Sequence, residues 1–432
     1  MILRNEWLTR FAQAKIPLCP KLQENVSCDV VVIGGGIAGL HAAQRISISG
    51  LRVVLIDKSI CGASSSGKSS GFLTPESELG LSELIRRHGP KNAREVWEIA
   101  TKGVSMIVNN IKKYNIKCDF QKQDSLYLGI GERGVKNVKE QALARKKLGY
   151  SYKLYSFDEL QKIHPTKDYS SAIQYPKSYS FISLLYVQEL KKLLLKKGVR
   201  IYENTEATQI IGNIIKTPLG LIEAKKIIVC IDKMKKSFSY ASKNTYHAQT
   251  YLAISHTLTK RDIKKLFPHR YFMCWDSMLI YSYYRITKDN CLLLGGGSLS
   301  TIYSPTVVKS PAVILNVIKK FKNHFPHLSH VKFKSYWPGL VDLTQDIMPV
   351  VDYDLNNPHI QYVQGCPGLP WAAFCGDYAA SRIINHKYKD YDKYFGANRK
   401  FPIPFGVQSI IGKPLTYAIT NPYAKYYQKD TL

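Results

Sequence analysis

The chain has 432 residues, of which 45% are hydrophobic and 22% are charged; this length and composition predict two or three globular domains and exclude a disordered chain. The formal net charge is +29, which would attract nucleic acid or anionic lipid, but the basic residues are dispersed, as is typical of a solvated surface. Because no apolar run approaches the length of a membrane-spanning helix, we expect no transmembrane segment.

Residues 1–27 are a predicted N-terminal arm without the apolar stretch of a secretory signal. The nine cysteines of the chain lack the C-x-x-C and Cys/His spacings of metal sites, so we expect no bound metal. An odd number of cysteines cannot all pair within one chain, and most have apolar neighbours, as buried thiols do. These features favour a reducing compartment, and we expect a cytoplasmic protein.

A dinucleotide-binding unit is predicted directly after the arm. Residues 29–33, DVVVI, indicate a buried parallel strand, and the GGGIAG that follows places Gly34, Gly36 and Gly39 in the pattern G-x-G-x-x-G. A helical segment and a second strand, LRVVLID, then end at Asp57. The glycines would admit a pyrophosphate, the helix N-terminus would offer N–H groups to it, and the acid would accept hydrogen bonds from ribose hydroxyls.

The next segment, residues 62–69, reads GASSSGKS and matches the P-loop pattern G-x-x-x-x-G-K-[ST]. A true P-loop needs its lysine and serine to open a helix. Here the chain continues as SGFLTPESELG, in which Gly71 and Pro75 make a poor first helical turn. We therefore interpret the segment as a loop of the dinucleotide-binding fold and reject a P-loop NTPase.

The rest of the chain alternates between two kinds of pattern. Residues 80–165 predict helices followed by the strand DSLYLGI, and residues 240–330 predict strands with alternating aromatic residues. Signals of parallel strands and helices recur at 168–235 and 330–386. The final segment, 387–432, is rich in Pro, Tyr and Lys, and we expect it to pack irregularly on the surface.

Taken in order, these segments resemble the FAD-dependent amine and amino acid oxidases of the D-amino acid oxidase and glycine oxidase superfamily, and within it the γ-glutamylputrescine oxidoreductase-like branch. The resemblance is carried by the glycine turn, by the loop CGASSSGKSSGFLT, by the hairpin YYRITKDNCLLLGGG, and by the segments YWPGLVDLTQDIMPVVDY and YVQGCPGLPWAAFCGDYAASRII. It covers nearly the whole chain.

The resemblance implies an α/β fold with a discontinuous Rossmann-type FAD-binding domain. An inserted α+β substrate domain would contain a mixed, largely antiparallel sheet. On this basis we expect the FAD-binding domain to comprise residues 28–76, 168–235 and 330–386, and the substrate domain to comprise residues 80–165 and 240–330.

The resemblance also implies FAD as cofactor and an amine or amino acid as substrate. The C–N bond would be oxidised by hydride transfer to flavin N5, giving an imine that hydrolyses, with oxygen or another molecule as electron acceptor. The implied cofactor-binding residues are Gly34, Gly36, Gly39, Asp57, Lys58, Ser66, Lys68, Ser69, Gly365 and Gly368. The catalytic candidates are Arg285, whose planar guanidinium suits a substrate carboxylate, and Tyr283 or Tyr284 beside it.

Three residues depart from the family pattern: Asp57 replaces the usual glutamate, Pro370 lies in the last glycine-rich turn, and Cys291 replaces an arginine of the hairpin. Two alternatives therefore stay open. One is a flavin-dependent tRNA-modification enzyme acting on an aminoalkyl group, for which the net charge is the support. The other is a non-catalytic flavoprotein, which the changes at Pro370 and Cys291 would explain. The sequence leaves the oligomeric state open.

Overall fold

The structure is a computed structural model that describes residues 1–76, 78–234, 238, 242, 245–298, 301, 303–304, 306–384 and 390–426. The strands are β1 Ile2–Leu3, β2 Val26–Ile33, β3 Val53–Ile56, β4 Phe72–Leu73, β5 Gln121–Lys122, β6 Ser125–Ile130, β7 Lys153–Tyr155, β8 Tyr169–Tyr175, β9 Tyr179–Ser180, β10 Arg200–Tyr202, β11 Gln209–Ile211, β12 Ile214–Thr217, β13 Gly220–Val229, β14 Thr245–Thr257, β15 Met273–Asp276, β16 Tyr283–Ile286, β17 Cys291–Gly296, β18 Phe333–Thr344, β19 Val350–Tyr353 and β20 Ile360–Gln364.

The helices are α1 Glu6–Gln13, α2 Ile37–Ser47, α3 Leu81–Lys113, α4 Gly131–Leu148, α5 Phe157–Ile163, α6 Ser183–Lys196, α7 Lys260–Leu266, α8 Pro311–His324, α9 Leu369–Ile383, α10 Asp392–Phe395 and α11 Phe405–Tyr426. Helix α3 is interrupted at Gly89, where φ is 71°. Among the described residues, no helix has the length and apolar character needed to cross a bilayer.

One sheet of eight strands contains the predicted dinucleotide-binding unit. Its strands β10, β3, β2, β13 and β20 run parallel to one another in that order, and β12, β11 and β19 extend it through antiparallel pairs. All four residues of β3 are buried, as expected for a parallel strand covered on both faces. Helices α2 and α9 pack together closely. The short distance shows this: a Cβ atom at Gly376 would lie only 1.9 Å from the carbonyl oxygen of Ala38.

A second sheet of nine strands has the order β1-β18-β14-β17-β16-β15-β6-β8-β7. Most neighbours are antiparallel, while β1 with β18 and β15 with β6 are parallel. Helix α8 packs on one face of this sheet, over a core that includes Tyr284, Phe321 and Phe325. The structure thus confirms the predicted fold class, an α/β fold that combines a Rossmann-type sheet with a mixed, largely antiparallel one.

Four strands lie in a different sheet from the one suggested by the predicted domain ranges. Strands β4 and β9, within 28–76 and 168–235, pair in a third sheet of three strands with the order β4-β9-β5. Strand β8 lies within 168–235 and β18 within 330–386, yet both pair in the nine-stranded sheet. Most residues of both strands are buried, and burial shows that a strand lies in a core without specifying the sheet in which it pairs. The division into two domains itself stays a prediction.

The C-terminal tail is more regular than expected. In its described part, residues 390–426, it forms α10 and the long helix α11, which is interrupted at Gly412 with a φ of 80°; residues 387–389 and 427–432 lie outside the described residues. The ammonium of Lys413 donates to the carbonyl oxygens of Ser242 (2.7 Å) and Thr245 (2.9 Å). The expectation of irregular packing was wrong for this part, because tertiary contacts stabilise a helix of poor local propensity.

Candidate functional site

The predicted glycine turn has no room for side chains. Gly34 has a φ of +107°, and a Cβ atom there would lie 2.3 Å from the carbonyl oxygen of Cys230. At Gly39 a Cβ atom would lie 1.8 Å from the carbonyl oxygen of Gly34, which is the close contact between turn and helix that the pattern predicts. Gly36 is the N-cap residue of α2, and a Cβ there would lie 3.0 Å from the Ser66 hydroxyl. The turn therefore has the shape of a dinucleotide cradle.

Asp57 follows β3 and ties the turn to the second strand. Its Oδ2 accepts a hydrogen bond from the Gly35 amide at 2.7 Å, and its Oδ1 accepts one from the Ser59 amide at 2.8 Å. Burial raises the pKa of this carboxyl, and the two amide hydrogen bonds oppose the rise. The acid thus lies beside the glycine turn as predicted, whereas the next residue, Lys58, is exposed.

The loop between β3 and β4, residues 61–71, is held by hydrogen bonds to its backbone; we call it the small-residue loop. Five consecutive carbonyl oxygens each accept a hydrogen bond from a side chain of another segment. The pairs are Ser183 Oγ to Ser66 (2.5 Å), Asn5 Nδ2 to Gly67 (3.1 Å), Trp337 Nε1 to Lys68 (3.1 Å), Trp7 Nε1 to Ser69 (2.8 Å) and Arg285 Nε to Ser70 (2.8 Å). One edge of the loop is therefore fastened at every residue from 66 to 70.

This geometry confirms that the loop is not a P-loop. Residues Ser65–Lys68 form a single 3-10 turn, and Ser69 is extended, with a ψ of 152°. The chain then enters the short strand β4, so Lys68 and Ser69 do not open an α-helix. The Ser66 hydroxyl instead accepts a hydrogen bond from the Ile37 amide at 3.1 Å, at the N-terminus of α2. The loop thus lies against the dinucleotide cradle.

Asp232, which the sequence analysis did not single out, lies at the same end of the eight-stranded sheet. Its carboxylate accepts hydrogen bonds from the hydroxyls of Ser64 (2.8 Å) and Ser65. Burial would raise the pKa of Asp232, but these hydroxyls and the charge of Lys233 lower it below the ordinary value. Burial and Lys233 lower the pKa of Lys68. The only sequence signal for Asp232 was an acid shortly after a buried parallel strand.

The last glycine-rich turn leads into α9. Gly365 has a φ of +62°, and a Cβ there would lie 2.8 Å from the Thr344 methyl group; Gly368, with a φ of +141°, is the N-cap residue. Pro370 lies in the first turn of α9, where the missing N–H has no helical partner to lose. Gly103 of α3 lies against this turn, since its Cβ would lie 2.0 Å from the Pro370 carbonyl oxygen. Pro370 is therefore compatible with the helix start.

Arg285 on β16 is buried, with 1% of its surface exposed. Besides the bond from Nε to Ser70, its Nη2 donates to the carbonyl oxygen of Phe181 at 3.2 Å. Burial lowers the pKa of Arg285 to about 9. Gly71 is required beside it, because a Cβ there would lie 1.8 Å from the same Phe181 oxygen. These contacts fasten the small-residue loop to the nine-stranded sheet, and the role of Arg285 as a carboxylate anchor stays a prediction.

The two tyrosines next to Arg285 lie on opposite faces of the sheet. Tyr284 is buried in the core under α8, where its hydroxyl lies 2.6 Å from Nε2 of His164. Tyr283 is half-buried on the other face, where its hydroxyl lies 2.8 Å from that of Thr250 and its ring centroid 5.9 Å from that of Phe72. The structure therefore separates the two candidates, and only Tyr283 lies on the face towards the small-residue loop.

Tyr283, Thr250 and Phe72 are partly exposed and contact one another through Tyr283; we call this group of side chains the aromatic cleft. Thr250 is paired with Gly339 across β14 and β18, and a Cβ at Gly339 would lie 3.6 Å from the Cβ of Lys68. The aromatic cleft thus begins where the small-residue loop crosses the nine-stranded sheet. Within the loop, Ser66 contacts the dinucleotide cradle and Lys68 lies against the strands that carry the aromatic cleft.

A buried ion pair, which the sequence analysis missed, supports the cradle side. Lys191 and Glu203 are fully buried, with 3.1 Å between the ammonium and a carboxylate oxygen. The Glu203 carboxylate also accepts hydrogen bonds from the amides of Cys19 and Cys61, both at 2.7 Å. It therefore joins the N-terminal arm to the start of the small-residue loop. Position directly after β10 was the only signal that would have suggested Glu203.

The cradle fits FAD. The glycines leave space for a pyrophosphate, the N-terminus of α2 faces it, and Asp57 lies where a ribose would be bound. The fold and this cradle define a dinucleotide-binding oxidoreductase. The model of the family described as FAD dependent oxidoreductase (DAO) matches residues 29–382, so the chain belongs to this family. FAD is its cofactor, and the sequence-based prediction of family and cofactor is confirmed.

Two curated relatives and one solved structure show how far the similarity extends. The chain is 27% identical to gamma-glutamylputrescine oxidoreductase of Escherichia coli over 357 residues, which cover 80% of this chain and 81% of the relative. It is 25% identical to the protein of Haemophilus influenzae named "Probable oxidoreductase OrdL" over 421 residues, 95% of this chain and 94% of the relative. The glycine oxidase structure from Geobacillus kaustophilus matches with a TM-score of 0.72 and 14% identity, over 85% of this chain and 97% of that one.

Proposed function

We propose that this FAD-dependent oxidoreductase oxidises the C–N bond of a small amine or amino acid. The observation that carries the proposal is the position of the small-residue loop, which touches the dinucleotide cradle through Ser66 and the nine-stranded sheet through Lys68. The loop thus joins the residues that would hold FAD to the strands that carry the aromatic cleft. The names of gamma-glutamylputrescine oxidoreductase and glycine oxidase support an amine or amino acid as substrate.

In this proposal the cofactor is held by residues that follow the carboxyl ends of strands β2, β3 and β20 of the eight-stranded sheet. The glycine turn and the N-terminus of α2 would hold the pyrophosphate, Asp57 and Lys58 the adenosine side, and Ser66, Lys68 and Ser69 the loop side. Gly365, Gly368 and the N-terminus of α9 would face the flavin ring, where a helix dipole favours negative charge. Bound FAD would supply a two-electron acceptor next to the aromatic cleft.

The residues of the aromatic cleft would orient the substrate and exclude water. Burial raises the pKa of Tyr283 to about 12, so its hydroxyl stays protonated at neutral pH and can share a hydrogen bond with Thr250 and the substrate. We propose that Tyr283 orients the amine in this way. The Arg285 guanidinium already donates hydrogen bonds to the carbonyl oxygens of Ser70 and Phe181. To bind a substrate carboxylate as well, it would have to use its remaining N–H groups.

The purified protein provides a direct test of this function. Oxidised flavin absorbs near about 370 and 450 nm, and a panel of amines and amino acids added without oxygen should bleach the longer-wavelength band. Tyr283→Phe should slow this bleaching, whereas Tyr152→Phe, a tyrosine of the loop before β7, serves as the control. A coloured protein that no amine or amino acid bleaches would contradict the proposal. Admitting oxygen afterwards, with a peroxide assay, identifies the electron acceptor.

We also propose that the protein works in the cytoplasm. All nine cysteines are unpaired thiols and most of them are buried, and burial raises the pKa of those at positions 19, 28, 61 and 118. Such thiols are stable in a reducing compartment. Fractionation of cells that produce the native protein, with flavin fluorescence or an antibody as the readout, tests this localisation.

A further inference from the structure

We propose that Glu78, together with Tyr281 and Tyr283, forms a subsite for a positively charged amino group of the substrate. This group would be a second one, remote from the C–N bond that is oxidised. The inference rests on the proposed function, because it assigns a substrate class to the aromatic cleft. The expected substrates are therefore diamines, or amines that carry a second ammonium group.

The contacts around Glu78 have the character of an ammonium site. Its Oε1 accepts a hydrogen bond from the Tyr281 hydroxyl at 2.7 Å. The ring centroids of Tyr281 and Tyr283 lie 5.7 Å apart, and that of Phe72 lies 5.9 Å from that of Tyr283 in an edge-to-face arrangement. All four side chains are only partly buried. A partly exposed carboxylate thus lies next to partly exposed aromatic rings.

The subsite is continuous with the aromatic cleft. Tyr283 belongs to both, since its hydroxyl lies 2.8 Å from that of Thr250, and Thr250 is paired with Gly339 next to Lys68. After burial, which is the main cause, the negative charge of Glu78 also contributes to the raised pKa of Tyr283 and of Tyr417 on α11. Glu78 therefore lies close enough for its charge to act on the hydroxyls of Tyr283, on the nine-stranded sheet, and Tyr417, on the C-terminal helix.

Charge and ring chemistry together select a cation. A protonated amine, with an ordinary pKa of about 10.4, would form a charge-assisted hydrogen bond with Glu78 and lie against the negative faces of the tyrosine rings. A substrate carboxylate at the same place would be repelled by Glu78. The amine that is oxidised must be neutral, so a diamine would use one charged end for binding and one uncharged end for reaction.

The test compares α,ω-diaminoalkanes of increasing length with monoamines of the same length, using the FAD-loaded enzyme. Binding is measured by calorimetry without oxygen on the enzyme with its flavin already reduced, which cannot oxidise the amine, and flavin reduction is measured by bleaching of the oxidised enzyme. We expect the wild-type protein to bind the best diamine about tenfold more tightly than its monoamine, as a hydrogen bond to a charged group would give. Glu78→Gln should abolish this preference by weakening diamine binding, with monoamine binding unchanged. Glu98→Gln, which changes an exposed acid of α3, should retain it.

The two readouts separate this inference from the proposed function. Wild-type enzyme that binds no diamine more tightly than its monoamine, or a preference that survives Glu78→Gln, would overturn the subsite even if amines bleach the flavin. A preference that depends on Glu78 without any bleaching would support the subsite and contradict the proposed oxidation. An unchanged flavin spectrum and unfolding temperature of Glu78→Gln would show that the variant is folded.

Discussion

The indole nitrogen of Trp7 donates a hydrogen bond to the carbonyl oxygen of Ser69 at 2.8 Å, across 62 residues of sequence. Trp7 is fully buried and also meets the ring of Trp337 edge-on, with 5.4 Å between centroids. Trp337 in turn donates to the carbonyl oxygen of Lys68. Helix α1 of the N-terminal arm is therefore part of the support of the small-residue loop.

Replacing Trp7 by phenylalanine should lower the free energy of unfolding by about 1–3 kcal/mol, because the Ser69 carbonyl loses its donor in a buried place. We also expect weaker FAD binding, since the loop is no longer fastened at Ser69. Urea unfolding and fluorescence titration with FAD measure the two effects. Trp371→Phe is the control for stability: its buried indole nitrogen has no partner in the described part of the chain, so the loss should be smaller.

Gly39→Ala should abolish FAD binding. The new methyl group would lie 1.8 Å from the carbonyl oxygen of Gly34, so the turn would have to open where the pyrophosphate is expected. Gly50→Ala is a matched control, because Gly50 has a φ of +79° but nothing within 4 Å of the added Cβ; it should cost about 1 kcal/mol of stability and retain FAD. The ratio of flavin to protein absorbance measures both. Full flavin content in Gly39→Ala would refute the cradle.

Arg285→Lys distinguishes the two roles of this side chain. An ammonium cannot reproduce the two separate hydrogen bonds to Ser70 and Phe181, so a fastening role predicts weaker FAD binding with every substrate. An anchoring role predicts instead a raised KM for amino acids, with amines that lack a carboxylate unaffected. We expect the first result. Fluorescence titration with FAD measures the first effect, and steady-state kinetics with both substrate types at saturating FAD measures the second.

Lys191→Met should lower the free energy of unfolding by about 3–5 kcal/mol, because it leaves the Glu203 carboxylate buried without its partner charge. The neighbouring Lys192 provides the control. It pairs with Glu189 at 2.5 Å but is 38% exposed, so Lys192→Met should cost less than about 1 kcal/mol. Urea unfolding at neutral pH measures both variants. An equal loss of unfolding free energy in the two variants would show that the buried ion pair stabilises the fold no more than the exposed one.

The stability of the protein should depend on pH through Asp276. Burial raises the pKa of this carboxyl to about 6, although the amides of Met278 and Ser282 donate hydrogen bonds to it. Between the unfolded value of about 4 and the folded value, the native state binds more protons than the unfolded state. The contribution of this group is therefore present below about pH 4 and lost as the pH rises through 6, by about 3 kcal/mol in total.

Asp276→Asn tests this dependence, because the amide stays neutral at every pH. Unfolding free energies of the wild type and the variant, measured at about pH 4.5 and pH 7.5, should differ more in favour of the variant at the higher pH. Other titrating groups cancel in this difference. A constant difference across the range would show that Asp276 does not hold its proton as inferred.

Features built from residues close together in the sequence could be predicted, whereas contacts between residues far apart in the sequence could not. The unit from β2 to Asp57 was predictable because strand, turn, helix and acid are contiguous, and each has a local signal in hydrophobic period or glycine spacing. The same holds for the rejection of the P-loop, which needed only the residues after Lys68. The opposite orientations of Tyr283 and Tyr284 follow from strand alternation, but which face meets the small-residue loop does not.

The sequence by itself determined the family, the cofactor and the glycine turn, because these depend on short-range backbone requirements that only certain residues meet. The tertiary structure alone decided that Arg285 meets Ser70, 215 residues away, that Lys191 lies buried against Glu203, and that Glu78 lies beside Tyr281. Such contacts form between side chains brought together by the packing of two sheets. A carboxylate or guanidinium carries no local pattern that identifies its partner, since its energy depends on burial and on the groups around it.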